Sequence, residues 1–197
     1  RSDVLSVFAG LRPLAAPRSE GKKTKEISRS HKLIREKSGL ITIIGGKWTT
    51  YRKMAQDTLD LAIRYMHIPT KDCITERYQI HGSRKNPDFS DPLYVYGTDA
   101  DEIRNLVASS PAMAEKLHPD YAYTVGEVTW LVRNEMPRTL EDVLARRLRI
   151  LFLDARAAMA MAPKVAGILA TEWGKDETWT SAQVKAFNEV ASNYILN

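Results

Sequence analysis

The sequence predicts an α+β chain, with strands and one helix in its first third and a mainly helical bundle in its last half. Three observations predict it. Residues 1–46 hold short apolar runs broken by a polar Gly/Lys/Ser loop. Apolar residues from Tyr51 to Met66 recur on one helical face: Tyr51, Met54, Ala55, Thr58, Leu59, Ala62 and Met66. From Thr98 onward, cap residues and helical spacing repeat to the end of the chain. The expected organisation is 1–66, a connector over 67–97, and a helical domain over 98–197.

In order, "VLSVFAGLRPL", "HKLI" and "LITII" read as strands. The last, being continuously apolar, fits a strand buried on both faces. The connector carries "HGSRKNPDFSDP" and few apolar clusters. Thr98 or Asp99 caps a short helix running through Val107. Thr139 with Asp142 forms a capping box, with Asp in place of Glu, ahead of "VLARRLRILF". Asp154 opens "ARAAMAMA", Pro163 ends or kinks that helix, Gly174 closes the segment, and Ser181 caps the last helix. Met159, Met161, Leu151 and Ile168 are the core candidates.

The chain has 197 residues, 44% of them apolar and 27% charged, which is ordinary globular composition. No apolar run reaches the roughly 20 residues that span a bilayer. The single cysteine, Cys73, excludes an internal disulfide and a CxxC site, and points to a reducing, cytoplasmic setting. The opening "RSDVLSVFAG" lacks an initiator Met and reads as a piece of a longer protein. Residues 1–66 carry 14 Lys and Arg against 6 Asp and Glu, whereas the remainder carries 15 against 18. A basic first third expects an anion or presents a solvated basic face.

The stretch "LITIIGGKWTTYRKM" localises that expectation. Gly45 and Gly46 allow a sharp turn and close backbone approach. The next helix begins with unpaired N–H groups and about half a positive charge, to which Lys47 adds a full one. Thr49 and Thr50 add hydroxyls. On spacing alone, the stretch reads equally as a plain strand–turn–helix joint with Lys47 in solvent. Neither the GxxxxGK[ST] loop nor GxGxxG is present, so spacing leaves the anion unnamed.

Four segments, in the same order, give the chain a family likeness. "SGLITIIGGKWTTYRKMAQDTLDLAI" closely resembles the segment closing the flavin domain of FAD-dependent glycerol-3-phosphate dehydrogenases. "VFAGLRPL" resembles their Gly-Leu-Arg-Pro strand, "ISRSHKLI" their Ser-Arg-x-His/Tyr segment, and "EMPRTLEDVLARRLRILFLDARAA" their helical C-terminal domain. The resemblance implies the C-terminal strands and helix of a flavin and substrate domain, then a helical cap. It implies that Gly45, Gly46, Lys47, Trp48, Thr49 and Thr50 contact FAD near the pyrimidine end of its ring. Trp48 departs from the family, where this position is often aliphatic.

It also maps Arg12 onto the arginine that reaches the substrate, where a planar fork of donors suits a phosphate. Arg29 and Lys47 are further candidates for phosphate contact. The implied reaction is oxidation of sn-glycerol 3-phosphate to dihydroxyacetone phosphate by hydride transfer to FAD, with electrons passed to quinone. A glycerol-3-phosphate oxidase handing electrons to oxygen shares these residues. A basic nucleic-acid-binding module is the reading from another class, and it lacks a recognition helix or aromatic-interleaved basic surface. The expected partners are therefore glycerol 3-phosphate, a quinone, the inner face of the cell membrane as a peripheral surface and a second copy of the chain, without nucleic acid. The isolated piece is expected to be inactive.

Other motifs point away from chemistry. His31, His67, His81 and His118 show no metal spacing. "DADEIRNLVASS" begins like a calcium loop but has Arg104 at the turn-glycine position and Ser110 where Glu is needed. Arg146, Arg147 and Arg149, beside Leu148, Ile150 and Leu151, read as a solvated helix face with intrahelical ion pairs, ahead of a face against a lipid surface.

Overall fold

A computed structural model of the chain describes residues 3–11 and 30–196. The fold is α+β and mainly helical. It divides into two compact units, one of Gly10–Ile80 and the other of Arg1–Ala9 with His81–Asn197.

The first unit is a hairpin backed by a helix. Strand β1 (His31–Arg35) pairs antiparallel with β2 (Ile41–Gly45), with His31 opposite Gly45 and Arg35 opposite Ile41. A short 3-10 turn, Trp48–Thr50, leads into α1, Tyr51–Met66. His67 ends α1 in the left-handed conformation, returning its N–H to the Ile63 carbonyl. The expected burial of "LITII" on both faces is not found. Every β2 residue is only half-buried, because β1 and α1 are its neighbours in this two-stranded sheet.

In the second unit the helices are α2 (Ala100–Ala108), α3 (Pro111–Ala114), α4 (Val125–Asn134), α5 (Ile150–Leu153), α6 (Ala155–Trp173) and α7 (Glu177–Ser192). Helix α6 packs against α4, α5 and α7. Its core contains the fully buried Leu131, Leu144, Leu151, Met161, Val165 and Leu169, with Phe187 from α7. Met159 and Ile168 pack at its edge.

Caps explain most boundaries. Asp154 accepts from the Ala157 N–H at 2.9 Å, and Gly174 closes α6 at φ 62°. Thr139 and Asp142 do form their box: Asp142 N–H donates to Thr139 Oγ1 at 3.2 Å, and Thr139 N–H to Asp142 Oδ2 at 3.0 Å. The box opens a π-helical segment, Asp142–Arg147, and the chain breaks from it at Arg149 with φ 60°. Arg146 pairs with Glu141 and Asp142 as the solvated-face reading requires. Arg147 instead ties into the fold, donating to the carbonyls of Asp142 and Glu135.

Two expectations fail and a third is narrowed, each for a physical reason. Helix α6 runs through Pro163 without ending, since Ala162, Val165, Ala166 and Leu169 lock that turn into the core. The lost N–H costs one ladder bond, which packing outweighs. Asp176, not Ser181, caps α7, accepting from the Trp179 N–H at 2.8 Å. Residues 3–9 form no ladder. They run alongside the helices and satisfy helix ends instead: Ala155 N–H donates to the Leu5 carbonyl, Ser6 Oγ to the Leu151 carbonyl, and Val7 N–H to the Tyr194 carbonyl.

A glycine pair shapes the entry to α2. At Gly97, φ is 55° and an added Cβ would lie 1.6 Å from the Gly82 carbonyl oxygen. Only glycine fits there.

Candidate functional site

The joint between β2 and α1 is built from backbone first. Gly45 and Gly46 take φ of 75° and 83°, a left-handed pair that turns the chain from strand to helix. Lys47 comes next in extended conformation, and Thr50 closes the turn. Its hydroxyl accepts from the Lys47 N–H at 3.3 Å and donates to the Lys47 carbonyl at 3.0 Å. Thr50 Oγ1 is therefore committed within the turn.

Among the described residues, no acceptor takes the N–H groups of Trp48 and Thr49. Lys47 and Thr49 are exposed, and Lys47 has no ion-pair partner there. Trp48 is 86% exposed and stacks on Tyr51, ring centroids 5.5 Å apart. Open donors, a free cation and an exposed aromatic pair thus meet at the start of a 16-residue helix. That arrangement suits a ligand with a planar ring and an electron-rich edge.

Gly46 serves the fold as well. A Cβ there would lie 2.5 Å from Met54 Sδ and 3.3 Å from His31 Cβ. The space above this glycine is occupied by the chain's own side chains, and its φ of 83° disfavours any residue with a Cβ.

Spacing shows only half of the clamp behind the joint. His31 Nε2 lies 2.9 Å from Asp57 Oδ2, and Lys53 Nζ donates to Asp57 Oδ1 at 2.7 Å. The Lys53 hydrogen bond, aided by His31, holds the Asp57 carboxyl below its ordinary range. Lys53 is raised in turn by the same hydrogen bond. The clamp ties β1 to α1 and so fixes the angle at which the helix start is presented. Lys53 and Asp57 are four apart on a helix, a readable pair, but His31 joins from 26 residues away.

Gly45, Gly46, Lys47, Trp48, Thr49 and Thr50 are thus brought together. Arg12 and Arg29 lie outside the described residues. No group of three or more His, Cys, Asp or Glu among the described residues is arranged to hold a metal ion.

Residues 40–180 match the C-terminal domain of alpha-glycerophosphate oxidase. The chain is 35% identical over 219 residues to a probable mitochondrial glycerol-3-phosphate dehydrogenase of Caenorhabditis elegans, covering 99% of this chain and 29% of that protein. It is 32% identical over 239 residues to the mitochondrial glycerol-3-phosphate dehydrogenase of Arabidopsis thaliana, covering 98% and 38%. The hamster Mesocricetus auratus enzyme of the same name is 31% identical, covering 99% and 29%. The chain therefore spans about a third of the length of these curated relatives. With its open helix start after two left-handed glycines, and the domain match running from that joint through the helices, the chain belongs to the family of the C-terminal domain of alpha-glycerophosphate oxidase.

Proposed function

We propose that this chain is the C-terminal portion of a flavoprotein that oxidises sn-glycerol 3-phosphate to dihydroxyacetone phosphate. The carrying observation is the β2–α1 joint, where the Trp48 and Thr49 N–H groups and Lys47 have no partner among the described residues. The names of the relatives, glycerol-3-phosphate dehydrogenases, support the same reading.

The residues fit FAD. When bound, it would supply the hydride acceptor for the reaction. Trp48 and Thr49 N–H and the Lys47 ammonium would then stabilise negative charge on the ring edge facing them. Gly45 and Gly46, in their left-handed conformation, would turn the backbone so that these donors face the cofactor. Thr50 holds the turn rigid, so its donors need no reorganisation when charge arrives. Arg12, with Arg29 and Lys47, would neutralise the substrate phosphate and orient its hydroxyl carbon; this assignment rests on the sequence resemblance.

Quinone is the proposed electron acceptor, with a peripheral position at the inner face of the cell membrane and a homodimeric state. Among the described residues no helix is long and apolar enough to cross a membrane. The test uses the full-length protein. Its flavin absorbance should bleach on anaerobic addition of glycerol 3-phosphate and return faster with a soluble quinone than with air. Faster return with air favours the oxidase reading, and no bleaching rejects both. An Arg12→Lys variant should lose roughly 30- to 1,000-fold in kcat/KM, the range for a lost electrostatic donor. Near-native turnover there would remove Arg12 from the site.

A further inference from the structure

One methionine sulfur of the chain sits on the joint between β2 and α1. Met54 lies in the first turn of α1, and its side chain leans back over the chain that enters the helix. A Cβ built on Gly46 would lie 2.5 Å from Met54 Sδ and 2.7 Å from its Cε. The thioether is therefore seated directly over that glycine. Beneath it the backbone is the left-handed Gly45–Gly46 pair, which turns strand into helix.

Met54 is only half-buried, and it also lines an open pocket of about 350 Å³. That pocket gives a small polar molecule a path to the side chain. Its other walls are Ile43, Tyr51, Ala55, Thr58 and Leu59. Such walls suit a thioether and suit an added oxygen poorly. Ile43, Ala55 and Leu59 are apolar, and the Thr58 hydroxyl is already donated to the Met54 carbonyl at 2.8 Å. Elsewhere Met66 and Met136 are 61% and 81% exposed, while Met161 is wholly buried. The chain thus carries its own references for easy and for hard oxidation.

We propose that Met54 is a redox-sensitive modification site, at which hydrogen peroxide converts the thioether to a sulfoxide that loosens the β2–α1 joint. The sulfur lone pair attacks one peroxide oxygen. An S–O bond forms as the O–O bond breaks, and with a proton transfer the other oxygen leaves as water. Sulfur gives up the two electrons that the peroxide gains. The product is polar and bulkier than the thioether, and the contact with Gly46 leaves no room for another atom. The oxidised side chain must turn outward to water, which strips the glycine pair of its cover. The site lies wholly within the hairpin–helix unit and does not depend on the flavoprotein reading.

The test treats the full-length protein with hydrogen peroxide and reads each methionine by peptide mass, with amide exchange on the same samples. Met54 should gain one oxygen after Met66 and Met136 and before Met161. As it does so, amides of Ile41–Gly45 and of the first turn of α1 should exchange about tenfold faster, while those of α6 stay slow. Methionine sulfoxide reductases should restore the slow exchange. Met54→Leu, a substitution that nearly conserves volume, should keep the joint slow through the same treatment. Met54 left unoxidised when Met66 and Met136 are fully converted overturns the proposal. So does oxidation at Met54 without faster exchange, or equal loosening in Met54→Leu. Since the readouts are mass and exchange without turnover, a failed flavin assay leaves this result standing.

Discussion

The two units hold themselves together by different means. In the helical unit, Leu131, Leu144, Met161 and Leu169 are wholly buried, and helix ends are tied by Asp154, Asp176 and the segment of residues 3–9. In the hairpin–helix unit, no residue of β1, β2 or α1 is buried, and the clearest tie is the polar clamp His31–Asp57–Lys53. Yet the N–H groups and the lysine that lack partners among the described residues belong to the second kind of structure. Stability and the candidate chemistry are carried by different parts of the chain.

The sharpest break between the units should appear under truncation of side chains. Leu131→Ala or Met161→Ala should cost about 2–5 kcal/mol, the range for a large core residue replaced by Ala. Leu59→Ala, at a residue 61% exposed on α1, should stay within about 0.5 kcal/mol. Urea denaturation followed by circular dichroism measures both. Similar losses at the two sites would erase the distinction.

Next in size is the buried acid of the helical unit. The Glu127 carboxyl is raised from its unfolded value of 4.5 to about 7, so the folded state holds a proton that the unfolded state releases between those limits. Its contribution to stability is greatest below about pH 4.5 and is lost as pH rises through about 7. That difference approaches about 3 kcal/mol for a group so deeply buried. Glu127→Gln keeps the shape without the charge. It should therefore gain stability over the native chain at pH 8 and lose that advantage by pH 5. A gain independent of pH would mean that the carboxyl titrates near its ordinary value.

The caps show how much is legible in the sequence. Asp154, Gly174 and the Thr139–Asp142 box act locally, between residues three or four apart, and all three are readable. So is the span of α1, whose apolar face repeats at helical period. Asp176 is not, because Ser181 also stands before an apolar helical run, and nothing local ranks two capping side chains five residues apart. The fate of Pro163 is not readable either, since it depends on contacts with α7 and α4. At the candidate site, the glycine pair and Lys47 are legible as a turn with a cation. The filling of the space at Gly46 by Met54 and His31 is not, because it needs the hairpin to be folded. Glu127, three residues after Thr124, is readable as a capping residue, but the Tyr96 hydroxyl that its carboxyl also accepts from, 31 residues away, is not.

That ambiguity at α7 gives a sharper, smaller prediction. Asp176→Ala should cost about 1 kcal/mol, the usual value of a lost N-cap, and Ser181→Ala should cost almost nothing. Thermal melts of the two variants decide which residue starts the helix. Equal losses would move the helix start toward Ser181.

The smallest effect should be confined to the hairpin–helix unit and should be visible without a change in global melting. Asp57 is held in its charged form by Lys53 and His31, so the tie is present above its depressed value and is lost as pH falls through it. Asp57→Asn removes the charge that both partners seek while keeping the size of the side chain. Without it, the start of β1 loses its side-chain link to α1 at His31, while Arg35 over the Tyr65 ring holds the other end of the strand. Amide exchange should then quicken in His31–Arg35 and in the first turns of α1, while the amides of α6 stay as slow as before. Quickening spread over both units would show that the clamp supports the whole chain. No change at β1 would show that the half-buried apolar contacts, not the clamp, set the angle at which the helix start is presented.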